Sequence, residues 1–410
     1  MSGQRRHVLP FVFAKILLDA MSFGLIMPVL PRLLMRVGEI QLNAAIEIGA
    51  WMSLLMALAA FFSAPILGNL SDSFGRRRVL LIALGGMAAH YAVLAVAGSV
   101  TLIVIGRVLT GVFGGSYGPA QAAIADVTAP EDRAKNFALV SAGFGVGFVA
   151  GPALGGLLVQ FGERAPFWLA LALSLGNFLY GLVAFPETLK PELRRPFTLA
   201  RANPFGAWKT AGQALGMRRI ALVLLLWQLA SLVYPLTWSF WGIAALGWSD
   251  QMIGLSLAAV GIVIALSQTL LTGRVVRRLG ERGAATLGMI GAGAGFVGYA
   301  FATTTAVAFA LLAAVAVQSL VQPSLMAMLS RRATPETQGE VQGLAAMMMG
   351  LGSIIGPMVL VWPMAWFTSP AAPFQFPGVP YAIAALITLA ALALLKTTPQ
   401  MASPGSVRDI

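Results

Sequence analysis

The sequence predicts an all-α membrane protein with twelve transmembrane helices in two pseudo-symmetric six-helix bundles and both termini cytoplasmic. Three observations carry this prediction. Residues are 58% hydrophobic and only 10% charged, with a mean hydropathy of +0.83, well outside the range of a soluble globular domain. Apolar stretches recur along the chain at the length of roughly 20 residues that a hydrocarbon core of about 30 Å requires. Two unrelated motifs also repeat at a single offset of 205 residues, the signature of a duplicated unit.

The spans lie near 8–34, 48–70, 79–98, 100–124, 136–160, 165–185, 219–242, 252–272, 283–302, 304–328, 341–366 and 378–396. Arg5 and Arg6 before the first apolar run resemble the start of a signal peptide. That run is too long, contains charges and lacks a small-residue cleavage site before the next span, so it is expected to remain as helix 1. Most connections are very short, which leaves no room for a soluble catalytic domain, and an enzyme is not expected. The one long polar connection, 187–218, holds Pro191, Pro196, Pro204 and a cluster of basic residues. It reads as a cytoplasmic linker between an N-terminal bundle, 1–186, and a C-terminal bundle, 219–410. Its segment "PFGAWKTAGQAL" is expected to lie on the membrane surface.

The formal net charge is +12. Of the 27 Lys and Arg residues, all but Arg32, Arg36, Arg164 and the intramembrane Lys15 and Arg107 fall on the side that holds both termini. This positive-inside bias assigns that side to the cytoplasm. The basicity is therefore a topology signal, and no nucleic-acid partner is expected. The chain has no cysteine, which excludes disulfides and thiolate chemistry. Its two histidines, His7 and His90, cannot build a zinc site alone, so no metal or cofactor is expected. Gly293, Gly295 and Gly298 match G-x-G-x-x-G, but they fall in a predicted membrane helix with no preceding strand, which removes the dinucleotide reading.

The duplication is visible in two pairs of motifs. "GNLSDSFGRRR" starts at Gly68 and "GRVVRRLGERG" at Gly273. "GFVAGP" carries Gly147, Gly151 and Pro152, and "GSIIGP" carries Gly352, Gly356 and Pro357. Gly143, Gly147, Gly151 and Gly155 follow a four-residue spacing that gives helix 5 a groove for close packing.

Of the 15 Asp and Glu residues, Asp19 alone lies deep in a span. A charged residue at a helix centre costs roughly 2.5–3.5 kcal/mol on insertion scales, so Lys15, Asp19 and Arg107 together demand a purpose or mutual pairing. At about 1.5 Å of rise per residue, Asp19, His90 and Arg107 come within roughly 5 Å of one level near the midplane, where transporter sites lie. Lys15 and Asp19 are spaced i, i+4 and share a helix face, so a purely structural ion pair is one reading. In the other, Lys15 is shallow enough to snorkel to the cytoplasmic surface, leaving Asp19 free to exchange protons. A carboxylate whose proton affinity changes with its surroundings can couple protons to another process. His90 is a second candidate proton carrier. The second half carries no charge deep in a span. Gln228, Tyr234, Trp238, Gln318 and Gln322, with Gln121 from the first half, are candidate cavity residues for an aromatic or amphipathic solute.

Gly68, Leu70, Asp72, Gly75, Arg76 and Arg77 fit G-x-L-x-D-x-x-G-R-[RK], the signature of the major facilitator superfamily, which the chain resembles almost throughout. "IGRVLTGVFGG" is similar to that family's second motif, with Arg107 as its buried arginine. In helix 5, Gly147, Gly151, Pro152, Gly155 and Gly156 are similar to the motif of its drug/proton antiporters. "LLDAMSFGLIMPVLP", "LSDSFGRRRVLL", "AGPALGG" and "GRVVRRLGER" resemble the tetracycline/proton antiporters most closely. The resemblance implies alternating access driven by the proton gradient. It also implies that Asp72 and Arg76 gate the cytoplasmic face and that helix 5 packs at the seam between the halves. The tetracycline exporters have further intramembrane acids where this chain has His90 and Ala292, and a histidine where it has Ile264. Lys15 replaces an apolar residue.

Together these features predict an inner-membrane, proton-coupled exporter of a small amphipathic compound, with Asp19, His90 and Arg107 handling protons. Its expected partners are the solute, protons and the bilayer, and it is expected to act as a monomer. A proton-coupled uptake carrier for a nutrient or anion, with Arg107 as counter-charge, is the alternative. A non-transporting sensor or scaffold is the third reading.

Overall fold

The computed structural model describes residues 7–129, 132–199, 202–206, 208, 216–334 and 337–399, apart from the side chain of residue 134. Every regular element among them is helical, and eleven runs are long and apolar enough to cross a membrane. Helix α1 is Val8–Ile26 and resumes after a turn as Leu30–Gly38. It is followed by α2 (Leu42–Phe74), α3 (Arg76–Val96), α4 (Val100–Val127), α5 (Arg133–Leu158), α6 (Ala165–Ala184) and α7 (Met217–Leu246). The predicted spans 252–272 and 283–302 both fall in one run, Asp250–Ala300, of 51 residues. Straight, that run would measure about 75 Å, more than twice a hydrocarbon core of about 30 Å. It is broken at Gly280 (φ 68°, ψ 173°) into arms 250–279 (α8) and 281–300 (α9). Helices α10 (Thr305–Ser330), α11 (Gln338–Phe367) and α12 (Val379–Thr397) complete the chain.

The break has a twin. Gly75, 205 residues earlier, separates α2 from α3 with φ 99° and ψ 155°. Only glycine occupies this region of backbone space without strain, so the same sharp reversal is written into both halves by the same residue. The starts of α4, α8 and α10 are each fixed by a capping hydroxyl, which accepts from an otherwise unpaired helix N–H. Ser99 accepts from Leu102 (3.3 Å), Ser249 from Met252 (3.2 Å) and Thr304 from Val307 (3.3 Å).

The face that carries the termini is tied together by the chain ends. Arg282 donates to the carbonyls of Leu395, Lys396 and Thr398, satisfying acceptors that the last turn of α12 leaves open. His7 contacts the Tyr180 hydroxyl at 3.2 Å. The linker's described part lies against α2: Arg195 N–H donates to the Asp72 carbonyl (3.0 Å), Asn69 donates to the Thr198 carbonyl (2.6 Å), and Phe205 packs on Phe61. Most of "PFGAWKTAGQAL" lies outside the described residues.

On the opposite face the first and second halves are stitched together. Arg32 pairs with Asp250 (2.9 Å) and donates to the Trp248 carbonyl (3.0 Å), while Ser239 donates to the Met27 carbonyl (2.7 Å). The glycines of α5 divide between two neighbours. Gly143 meets the Phe13 ring, and Gly147, Gly151 and Gly155 meet the carbonyls of Leu17, Met21 and Leu25 in α1, so this stripe packs inside the first half. Gly156 and the Pro152 carbonyl instead lie against Gly254 of α8, and Val149 lies against Gly261. The contact between the halves therefore uses the flank of α5 beside the stripe.

Candidate functional site

Lys15 and Asp19 stand one turn apart on α1, and the Lys15 ammonium pairs with Asp19 Oδ2. Lys15 is 1% exposed while the Asp19 side chain is 28% exposed. The lysine does not snorkel. An apolar cluster that includes Phe11, Val12, Ile16, Leu84, Ile124 and Val140 is built around the same helix, and the buried ammonium meets its charge at Asp19. Asp19 is thus paired yet, unlike its lysine, still partly exposed.

Tyr91 of α3 packs beside Ser22 and lies within electrostatic reach of both Asp19 and Arg107. It joins the two charged residues, and the sequence reading passed over it for its neighbour. His90 is fully buried, with Thr110 Oγ1 within 3.1–3.2 Å of its ring nitrogens. The Thr110 hydroxyl has the Gly106 carbonyl as acceptor (3.2 Å), which leaves its oxygen to accept from the imidazole N–H. His90 reaches Arg107 electrostatically but sits behind it, between α3 and α4. One step along a helix turns a side chain by about 100°, which puts His90 on a different flank of α3 from Tyr91.

Arg107 is 7% exposed. It lines a small cavity of about 50 Å³ with Phe23, Met27, Ser53 and Phe240. Its Nη1 is buried without a hydrogen-bond partner, an arrangement that carries a desolvation cost until a partner arrives. Gln121 donates to the Tyr117 hydroxyl (2.8 Å), and its Oε1 is likewise unpartnered. Tyr117 opens onto a second cavity of about 400 Å³ between α4, α5 and α8, with Ser141, Phe144, Phe148 and Gln268 on its walls. The i, i+4 spacing of Phe144 and Phe148, and of Tyr117 and Gln121, was the available signal for this aromatic wall.

The second-half candidates separate. Gln318 is 8% exposed with an unpartnered Oε1, and Gln322 Nε2 lies 3.5 Å from Met349 Sδ. Gln228 packs on Gly352. Tyr234 and Trp238 sit in an aromatic core with Trp241, Tyr299 and Tyr381, and Trp238 gives its indole N–H to Ser256 (2.8 Å). Neither lines the Arg107 cavity or the α4–α5–α8 cavity.

At the terminal face, Gly68 leaves open space, while Arg76 pairs with Asp72 (2.5 Å) and Asp126 (3.2 Å) and donates to Ser71 Oγ (3.1 Å). Glu187 accepts from the backbone N–H groups of Arg76 (2.8 Å) and Arg77 (3.3 Å), capping α3 where Gly75 reverses the chain. Asp126 and Glu187, both missed in the sequence reading, complete this loop.

A helical bundle that crosses the bilayer repeatedly, holds charges inside its apolar helices and sets a buried, unpaired arginine on a cavity wall has the features of a membrane transporter rather than an enzyme. The chain belongs to the Major Facilitator Superfamily, whose family model matches residues 12–357 and again 220–409. It is 40% identical over 354 residues to the class C tetracycline resistance protein of Escherichia coli, covering 86% of this chain and 89% of that one. It is 38% identical to the class G tetracycline resistance protein of Vibrio anguillarum, covering 83% and 86%. Among solved structures, the fold is similar to that of the human organic anion transporter MFSD10 (TM-score 0.70, 24% identity, covering 95% and 99%). It is also similar to the nucleoside transporter NupG (TM-score 0.74, 15% identity, covering 97% and 100%).

Proposed function

We propose that the protein is a proton-coupled exporter of a small amphipathic, tetracycline-like solute in the bacterial inner membrane, that it works by alternating access, and that Asp19 takes the proton. In this reading α8 and α9 each cross the bilayer, giving twelve passes with cytoplasmic termini, as the distribution of Lys and Arg requires. Residues 1–186 and 219–410 rock about the α5–α8 contact, joined by 187–218. The Arg32–Asp250 pair holds the two halves together at the face away from the termini and must break for access there.

The observation that carries the proposal is the Lys15–Asp19 pair: its lysine is buried and its carboxylate is partly exposed. A proton arriving on Asp19 leaves Lys15 as a buried charge without a counter-ion, a state that costs about 3–5 kcal/mol. Movement of α1 along the glycine stripe of α5 relieves that cost and couples the proton to the change of access. Arg107 Nη1, Gln121 Oε1 and Gln318 Oε1, each waiting for a partner, hold polar groups of the solute, and Arg107 favours an anionic one. His90, satisfied by Thr110, supports Arg107 from behind.

The test is solute uptake by everted vesicles under an imposed pH gradient. Asp19→Asn is expected to cut uptake roughly 100-fold, the scale of losing about 3 kcal/mol of coupling, while Asp19→Glu retains a measurable part. Undiminished gradient-driven uptake by a folded Asp19→Asn variant refutes the role of Asp19. Accumulation in right-side-out cells, driven by an inward proton gradient, would favour the uptake reading instead.

A further inference from the structure

On the face away from the termini, two helix stripes confront each other across the seam between the halves. Asn43, Glu47 and Trp51 follow one another at four-residue intervals on α2, and Trp362 and Trp366 stand on the last turns of α11 with Ser369 just past its end. Between them lies a cavity of about 430 Å³, within the range of small-ligand pockets. Trp51 and Trp362 meet edge to face with ring centroids 5.0 Å apart. Trp51 and Trp366 remain about half exposed. Ser369 Oγ is shielded from solvent without a hydrogen-bond partner. Among the described residues, no cation or hydrogen-bond donor engages the Glu47 carboxylate.

Tryptophans are common at membrane interfaces, where each anchors a helix separately. This group differs in two ways. Its rings come from both halves and enclose a space, and a carboxylate without a counter-ion stands among them. Indole faces attract cations, most strongly soft and weakly hydrated ones, and Glu47 supplies the opposite charge. A metal ion would find one carboxylate and no further oxygen-rich shell, so the chemistry selects an organic cation.

We propose that Glu47, Trp51, Trp362 and Trp366 form a binding site for an alkylammonium group, separate from the Asp19–Arg107 cluster. The ammonium sits against the indole faces with Glu47 as its counter-ion, and Asn43 and Ser369 meet any hydroxyl or ester oxygen attached to it. The cation could be free in solution or could be the headgroup of a bilayer lipid.

The experiment is calorimetric titration of the full-length protein, in nanodiscs of phosphatidylglycerol, with choline and with its uncharged isostere 3,3-dimethylbutan-1-ol. Choline is expected to bind at least about 10-fold more tightly than the isostere, within the range that cation–π attraction plus a counter-ion provides. Glu47→Gln, an exposed and isosteric change, and Trp51→Leu are each expected to weaken choline about 10-fold, and Asp19→Asn to leave it unchanged. Including phosphatidylethanolamine in the disc separates the sources. A fall in apparent choline affinity identifies the headgroup as occupant, and no change identifies a free cation; both uphold the ammonium site. Equal binding of the isostere, or a Glu47→Gln variant that binds choline as the parent does, overturns it.

Discussion

The two loops at the terminal face share a reversal glycine and invert the charge at three matched positions. In the first half Arg76 sits between Asp72 and Asp126. At the offset of 205 residues these positions are Glu281, Arg277 and Arg331, and Glu281 pairs with Arg331 at 2.8 Å. One base between two acids has become one acid with two bases. The reversal glycine is kept at both places, Gly75 and Gly280. Duplication preserved the geometry that only glycine permits, while the charges were free to invert because a pair survives exchange of its members. Each half thus closes its own loop with an internal ion pair of inverted order. The central residues are similarly buried, Arg76 at 9% and Glu281 at 14% exposure, whereas the outer partner Asp126 is 21% exposed and its counterpart Arg331 is 72% exposed. A similar one-sidedness holds inside the bundle, where His90, Tyr91 and Arg107 correspond to Gly295, Phe296 and Leu312.

The largest difference between the loops is expected at the glycines. A side chain at either position pays for the backbone conformation, about 1–3 kcal/mol. At Gly75 an added Cβ also collides with the Glu187 carboxylate, whose Cδ would lie 2.6 Å away, and at Gly280 it meets nothing within 4 Å. Gly75→Ala should therefore destabilise the protein by ~3 kcal/mol or more and Gly280→Ala by only the strain, ~1–3 kcal/mol, read as thermal midpoints in detergent. Equal losses would break the asymmetry. The next effect is electrostatic. Arg76→Ala leaves Asp72 and Asp126 facing each other without their shared base and is expected to cost about 2–3 kcal/mol, short of a fully buried pair because Asp72 is 44% exposed. Glu281→Ala removes a pair whose arginine is largely solvated and should cost under about 1 kcal/mol. The Glu281 effect should shrink in high salt, and the Arg76 effect should persist.

What could be read from the sequence follows the range of each interaction. Apolar length and the bias of Lys and Arg are properties of short segments, so the spans could be placed from local composition alone. The charge inversion was equally present in the letters, since Asp126 and Arg331 stand at the offset already given by Gly68 and Gly273. The fate of Lys15 was not legible. Its burial to 1% exposure depends on packing by segments far along the chain, which helical spacing on α1 alone does not reveal. Trp238 and Tyr234 were equally ambiguous, because a membrane helix is apolar all round and periodicity does not separate a face toward a cavity from one toward an aromatic core. Tyr91 was hidden by a rotation of one residue. Glu187, near the start of the predicted linker, becomes meaningful only when the fold brings it 111 residues back to Arg76.

The smallest expected effect is an equality, and it locates where the halves diverge. Ser99 and Thr304 are also 205 residues apart, and each caps the helix that begins at the face away from the termini. Each hydroxyl oxygen accepts from the N–H three residues on, at 3.3 Å in both halves. Neither bond involves a charge, and the neighbouring backbone is extended at both caps, so inversion of the surrounding charges should not reach them. Ser99→Ala and Thr304→Ala should each cost about 1 kcal/mol, equal within about 0.5 kcal/mol, and their double variant should show the sum, as distant sites do. If thermal midpoints show the two caps as unequal as the two glycines, the divergence is not confined to the terminal rim, and the charge inversion loses its standing as the feature that separates the halves.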